Sequence, residues 1–375
     1  MSHSGLLKSL LLATRSHWDH AGVRPEVREN FNKVLICQTP VHGAEVYASA
    51  TEMQIVPHTC KSRACPTCGY RNTLQWQREQ WALLPDIAYA GIVFTMPDVL
   101  WPIFEQNRHL LRDLPALAAA VVQQWAKLRF GVDVLVLVVQ HTFGRHLNFY
   151  PHLHLLVSAG GFDPMRCQWV SQMRFNKRAL MKMWKFALIS YLRKALHARV
   201  LFSELPPKEL ETIFKVQYER WWNVHIDHLQ SKKHFLRYAG RYLRRPPLAL
   251  RRIIAVDESE VRFWTKDTRT KKVLVTACSH AELVEMLAKH VPARYANAVR
   301  YFGLLSPRGG QKTCAVFMAL GQPRRERPKR LSWQNSLLRY FQRNPLIDSK
   351  GQAMHWSGRL RPLAVTSKTN ASTRD

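Results

Sequence analysis

The sequence predicts an α+β chain: a central antiparallel sheet flanked by helices, with a small cysteine-bearing module in front and a basic tail behind. Three observations predict it. Residues 91–96, 134–139 and 152–157 are short apolar runs of strand length, the second rich in β-branched side chains. The second and third are joined only by 144–151, a loop that makes them antiparallel neighbours. Helical spacing of Leu, Ala, Trp and Phe occupies the segments around these runs, so helices rather than further strands cover the sheet.

Taken in order, residues 6–12 (Leu-Leu-Lys-Ser-Leu-Leu-Leu) form an amphipathic helix, and the clustered cysteines follow before Pro85 closes this part. The strand 91–96 is stopped by Pro97, a helix is expected within 99–130, and Gly160-Gly161 end the third strand. Helices are expected at 174–200, 205–222 and about 231–245, the last stopped by Pro246-Pro247. Short strands follow at 251–256, 260–265 and 272–276, then a helix at 280–290. Beyond Arg308 periodicity fades into the basic run 324–330, a short amphipathic piece and a polar end at 366–375. The expected domains are therefore 1–85, 86–308 and 309–375.

Of 375 residues, 56 are Lys or Arg and 26 are Asp or Glu, a formal charge of +30. Self-repulsion on that scale is relieved by a polyanion, which makes nucleic acid the expected partner. A membrane surface ranks behind it, because the cations are spread along the whole chain instead of one helix face. No apolar run reaches the roughly 18–20 residues that span a bilayer, and no export signal is evident, so a cytoplasmic protein with reduced or metal-bound cysteines is expected.

Chemistry concentrates in three places. His152 and His154 are two residues apart on a strand, so both imidazoles share a face while Leu153 points away. Such a pair is half of a metal site. If the loop is symmetric about 147–148, His141 lies opposite His154 and supplies a third ligand; one register step gives that role to Gln140. Nitrogen ligands with water and phosphate oxygens would suit a divalent ion such as Mg²⁺ or Mn²⁺.

Tyr238 and Tyr242 are four residues apart on a helix and therefore share a face. Lys232, Lys233, Arg237, Arg241, Arg244 and Arg245 surround them, a setting for DNA phosphates and one that favours the phenolate. An arbitrary Tyr-x-x-x-Tyr is more often core packing than a nucleophile pair. Here a face both apolar and bordered by six cations weighs against that reading. Upstream, Cys60, Cys65 and Cys68 carry the Cys-x-x-Cys-Gly spacing of a zinc knuckle, with His58 or Cys37 open as the fourth ligand.

The His-Leu-His strand followed by a Tyr-x-x-x-Tyr helix resembles the HUH endonuclease superfamily, and within it the paired-tyrosine rolling-circle transposases of insertion sequences. The segments His141–Arg145, Pro151–His154, Arg237–Pro247, His290–Arg294 and Val299–Leu304 carry the likeness, which covers roughly residues 25–308. It implies an HUH palm of ferredoxin or RRM type and a single-strand DNA transesterase acting at element ends and target. In that reading His152 and His154 hold a divalent metal, with the third ligand open between His141 and Gln140, and Tyr238 and Tyr242 are the nucleophiles, passing through a 5′-phosphotyrosine. Such a transfer conserves bond energy, so no nucleotide cofactor is expected.

The same family carries an N-terminal structural zinc region with an additional upstream Cys-x-x-Cys. Here residues 46–53 contain no cysteine, which would rule out a second complete site there. Two other functions fit parts of the pattern. A replication initiator or relaxase would share the chemistry. A non-catalytic zinc-containing nucleic-acid-binding protein would explain charge and cysteines but neither the His-Leu-His strand nor the tyrosine helix.

Overall fold

The computed structural model describes residues 3–62, 64–240, 247–266, 270, 272–297, 299–342 and 344–362. They group into two compact units, residues 1–71 with 330–375, and residues 72–329. The fold is α+β, with antiparallel sheets flanked by helices.

The first unit opens with α1 (His3–Ala13), α2 (Arg15–Trp18) and α3 (Pro25–Ile36). Trp18 locks this corner: its indole N–H donates to the Leu11 carbonyl at 2.9 Å, and its ring meets Phe31 edge-on at 5.4 Å. Strands β1 (Ala44–Ala48) and β2 (Met53–Pro57) form a hairpin, and α4 (Pro66–Leu83), whose residues from 72 on belong to the second unit, starts with a proline, tolerated there because the first helical N–H has no partner to lose.

The second unit is built on β3 (Tyr89–Phe94), β4 (Leu135–Phe143) and β5 (Phe149–Ser158), with α5 (Trp101–Gln106) and α6 (Leu114–Phe130) between the first two. A small hairpin, β6 (Gly161–Asp163) and β7 (Gln168–Val170), leads to α7 (Lys177–His197), α8 (Pro207–Val216), β8 (Val224–Leu229) and α9 (Lys232–Ala239). A separate sheet of β9 (Ile253–Val256), β10 (Glu260–Lys266) and β11 (Val273–Ser279) follows, then α10 (His280–Lys289), β12 (Val299–Gly303) and α11 (Gly310–Ala319).

The main sheet has the order β12-β4-β5-β3-β8, every neighbouring pair antiparallel. Its strands read as continuous apolar runs because both faces are covered. Ala90, Ile92, Phe94, Leu153, Leu155, Val136 and Val138 pack against α6 and α7, where Phe94 stacks on Trp184 at 5.1 Å. The opposite face carries Tyr89, Leu137, Val139, Leu156 and Leu229, packed on Trp76 of α4, on Leu84 just after it, and on Phe235, Leu236 and Tyr238 of α9.

The expected helix at 205–222 ends at Val216, after which a loop is held by the buried Lys185 ammonium through the Tyr218 and Arg220 carbonyls. Of the two tryptophans that follow, Trp222 is buried in the core and Trp221 is exposed. The expected tyrosine helix is described as far as Ala239, with Gly240 as its cap; residues 241–246, including Arg241, Tyr242, Arg244 and Arg245, lie outside the described residues.

Where the sequence loses its periodicity, the structure has α11, α12 (Trp333–Phe341) and β13 (His355–Leu360). β13 pairs with β1, Ala44 opposite Leu360. The carboxylate of Glu45 on β1 accepts from Trp356 Nε1 at 2.9 Å and Arg359 Nε at 2.8 Å, which fastens the pairing. A six-residue, mostly exposed strand whose partner lies some three hundred residues earlier leaves no local signal.

Candidate active site and metal centres

The β4–β5 hairpin builds the histidine site. His141 is paired with His152, and Val139 with His154, so all three imidazoles lie on one face. His141 therefore faces His152 and not His154, as a symmetric loop would have required. The offset is even, so the face is unchanged. Gln140 pairs with Leu153 and belongs to the other face.

The turn is centred on residue 146 instead of 147–148, which by itself would set His141 opposite Pro151; a bulge adds one residue and brings His152 there. Between the pairs His141–His152 and Phe143–Phe149, β5 advances one residue more than β4, and Pro151 lies in the extra stretch. Proline has no N–H to give a ladder, which makes this the natural place for a bulge, and a bulge re-aims the side chains beside it. The strand also begins earlier than expected, at Phe149, leaving the turn to Gly144–Asn148.

The three ligand-bearing nitrogens lie within 4.8 Å of one another. His152 Nδ1 donates to the Tyr150 carbonyl at 2.8 Å, which leaves Nε2 as the nitrogen that could hold a metal, 3.1 Å from Nε2 of His154. That spacing matches two cis ligands about an octahedral ion with bonds of roughly 2.2 Å. Burial pushes His152 down to about 4, and burial together with His141 and His152 holds His154 well below the usual histidine range. Neutral imidazoles are what a cation needs. The ring of Tyr150 stacks on His152 at 4.7 Å, and Phe143 stacks on His141 at 4.8 Å. His290, at the end of α10, braces the turn: Nε2 donates to the Leu147 carbonyl at 2.8 Å, and Nδ1 lies 3.2 Å from the Thr142 hydroxyl.

Helix α9 delivers Tyr238 to the same face. Ser231 caps it by accepting from the His234 N–H at 3.3 Å, and Gln77 of α4 holds it through the Leu236 carbonyl at 2.8 Å. Tyr238 is only 4% exposed, and its ring lies directly on Gly91 of β3. Gly91 is paired with Leu156, two residues along β5 from His154, so the phenol lies one row from the histidines.

The basic residues of α9 divide. Lys233 and Arg237 are exposed. Lys232, expected to contact DNA, is turned inward: its ammonium donates to the Leu84 carbonyl at 3.0 Å, pairs with Asp86 at 2.7 Å and sits 4.9 Å from the Trp81 ring. A long aliphatic stem on the packed side of an amphipathic helix gains more from that burial than from solvent.

In the other unit, Cys37, Cys60, Cys65 and Cys68 converge. Cys37 caps α3, Cys60 follows β2, and Cys65 and Cys68 flank the start of α4. The Sγ separations are 3.7 Å for Cys37–Cys68, 3.8 Å for Cys60–Cys68 and 3.6 Å for Cys37–Cys65. A tetrahedral zinc with Zn–S bonds of about 2.3 Å requires sulfur separations of about 3.8 Å, so the four thiols fit structural Zn²⁺. Hydrogen bonds from the neighbouring thiols bring Cys37 down to about 7 and hold Cys68 far below the ordinary thiol range. Of the two expected candidates for the fourth place, Cys37 lies in the cluster, whereas His58 pairs through Nε2 with Glu45 at 3.1 Å. Cys37 stands 23 residues before Cys60, beyond any knuckle spacing, and only its presence among few cysteines signalled it.

The family profile described as "Transposase zinc-binding domain" matches residues 11–96, and the one described as "Putative transposase" matches residues 136–312. The "Transposase for insertion sequence element IS801" of Pseudomonas savastanoi pv. phaseolicola is 33% identical over 84% of this chain and 80% of its own length. The chain belongs to the IS91-type family of HUH transposases. "Putative transposase y4qJ" of Sinorhizobium fredii (strain NBRC 101917 / NGR234) is 26% identical over 77% of each chain. No solved structure matches. As a transposase the chain is an enzyme acting on DNA, with all four cysteines inside the zinc-binding profile and the histidines and Tyr238 inside the other. Among the described residues, no helix is long and apolar enough to cross a membrane.

Proposed function

We propose that this transposase nicks and joins single-stranded DNA by tyrosine transesterification. What supports the reading above all is the common sheet face of Tyr238 and the His141, His152 and His154 cluster. A divalent ion, Mg²⁺ or Mn²⁺, held by those imidazoles would neutralise a scissile phosphate and lower the demand on a phenol nucleophile. The Tyr238 oxygen attacks phosphorus, the bond to the 3′-oxygen breaks, and the products are a 5′-phosphotyrosine and a free 3′-hydroxyl. Bond energy is retained, so reversal onto a second 3′-hydroxyl joins strands without a nucleotide cofactor.

Lys233 and Arg237, exposed on α9, hold the DNA backbone through its phosphates. Because Tyr238 is enclosed, strand capture has to loosen the C-terminal end of α9 or bring the phosphate in along the sheet face. The second nucleophile is Tyr242, a role that rests on its spacing of four residues from Tyr238. The test is incubation with labelled single-stranded DNA from the element ends and Mn²⁺. A detergent-resistant protein–DNA adduct is expected, reduced in Tyr238→Phe while DNA binding persists; equal adduct from Tyr238→Phe and Tyr242→Phe single mutants and wild type would overturn the paired-tyrosine mechanism.

A further inference from the structure

The edge strand β8 places a second pair of chemical groups on the face that carries Tyr238. His225 is paired with Val93, and Asp227 with Gly91. Directly paired residues point to the same side of a sheet, so both belong to the face of His154, which is Val93's partner on the other flank. Leu229, the next residue in the alternation, packs in the same cluster as Tyr238. The row His225, Val93, His154 spans two strand spacings, roughly 10 Å, and Tyr238 lies on Gly91 in the adjoining row.

The pair is also chemically ordered. His225 Nε2 lies 3.0 Å from Asp227 Oδ1. An ionised carboxylate only accepts, so Nε2 carries the proton and Nδ1 presents a lone pair. His225 is 67% exposed and Asp227 40%, so a DNA strand crossing the face can reach them. An exposed ion pair adds little to stability, so the strand does not depend on this pair to hold its place.

We infer that His225, oriented by Asp227, is the general base for the tyrosine nucleophile, an assignment that rests on the transesterification reading above. As the Tyr238 oxygen bonds to phosphorus, its proton passes to His225 Nδ1. The P–O3′ bond breaks, the 3′-oxygen takes a proton from solvent, and the imidazolium returns one to solvent, so the exchange is proton-neutral. Asp227 is a positioning residue, fixing the tautomer and stabilising the imidazolium.

The experiment measures single-turnover adduct formation on a labelled single strand spanning an element end, with Mn²⁺, for wild type, His225→Gln, Asp227→Asn, His228→Gln and Tyr238→Phe. DNA affinity is measured in parallel. His225→Gln should lose at least about 100-fold in rate with affinity unchanged, and Asp227→Asn should lose less. His228→Gln, on the same strand but paired with Ala90 on the other face, should match wild type. Placing 3,5-difluorotyrosine at position 238, whose phenol is more acidic, should narrow the gap between wild type and His225→Gln, which a merely structural histidine would not do. An undiminished rate in His225→Gln while Tyr238→Phe is dead overturns the base assignment and leaves the nucleophile standing. An undiminished adduct in Tyr238→Phe overturns both. A gap that difluorotyrosine leaves unchanged also overturns it.

Discussion

Gly91 and Tyr238 are fitted to one another: a Cβ on Gly91 would fall 2.9 Å from Cε1 and Cζ of the Tyr238 ring and 3.2 Å from its hydroxyl. The strand can lie under the ring at that depth only because position 91 has no side chain. Tyr238 therefore takes its height above the sheet, and its distance from the histidine row, from this glycine.

Gly91→Ala should consequently displace the phenol without touching any polar group. The overpacking should cost about 1–3 kcal/mol of stability, and adduct formation should fall by about 100-fold, the penalty expected for an ångström of misplacement. Urea unfolding and single-turnover cleavage measured on the same preparation separate the two effects. A variant that unfolds at wild-type denaturant and cleaves at wild-type rate would show that the contact does not set the nucleophile.

The histidine cluster should make the protein acid-sensitive in a defined window. His152 is pushed down to about 4 by burial, against an ordinary value of 6.5. Between those values the unfolded chain binds a proton that the folded chain does not, so stability falls as pH drops from about 6.5 to about 4 and is unaffected by this group above 6.5. The loss should reach about 3 kcal/mol in buffer without divalent ions. His152→Gln should be markedly less pH-dependent over that range in chemical denaturation; an unchanged slope would contradict the assignment.

Much of this site was legible in the sequence, and the reasons it was not wholly so are physical. His152 and His154 had to share a face because a strand alternates, whatever its partners. The partner of His141 could not be read, because the turn is centred on residue 146 and the bulge at Tyr150–Pro151 then shifts the register by one, and both depend on the pairing itself. Strand β8 (Val-His-Ile-Asp-His-Leu) was invisible because a half-exposed edge strand alternates polar and apolar residues over only six positions. The pairing of β13 with β1 is set by Glu45, Trp356 and Arg359 across the length of the chain, which no local window contains.

Zinc content should follow the cysteines and ignore His58. Cys37→Ser and Cys60→Ser should each release the metal and unfold the module around it, since structural zinc supplies of order 10 kcal/mol to such sites. His58→Ala loses only a partly exposed pair with Glu45 and should keep full metal at a cost below about 1 kcal/mol. Metal analysis of the three purified variants decides it; zinc loss from His58→Ala with retention in Cys37→Ser would reverse the ligand set.

The cations of α9 should separate into two classes. Lys232→Ala removes the donor from the Leu84 carbonyl and leaves Asp86 its longer pair with Arg325, and should destabilise by about 1–3 kcal/mol, moderated by the exposure of Asp86. Lys233→Ala and Arg237→Ala should leave thermal unfolding within about 0.5 kcal/mol of wild type and weaken binding to single-stranded DNA, each with a smaller salt dependence. A Lys232→Ala protein that is stable yet binds poorly would place that side chain on the DNA after all.

On the proposed reaction, a tyrosine on the histidine face becomes covalently joined to DNA. The most direct measurement is peptide mass spectrometry of the adduct formed with an element-end single strand and Mn²⁺, after nuclease trimming. A nucleotide 5′-phosphate is expected on the peptide containing Tyr238 and Tyr242, on one or both residues, and none in His152→Ala. A DNA adduct on any other residue, or cleavage that leaves no phosphotyrosine, would contradict that reaction.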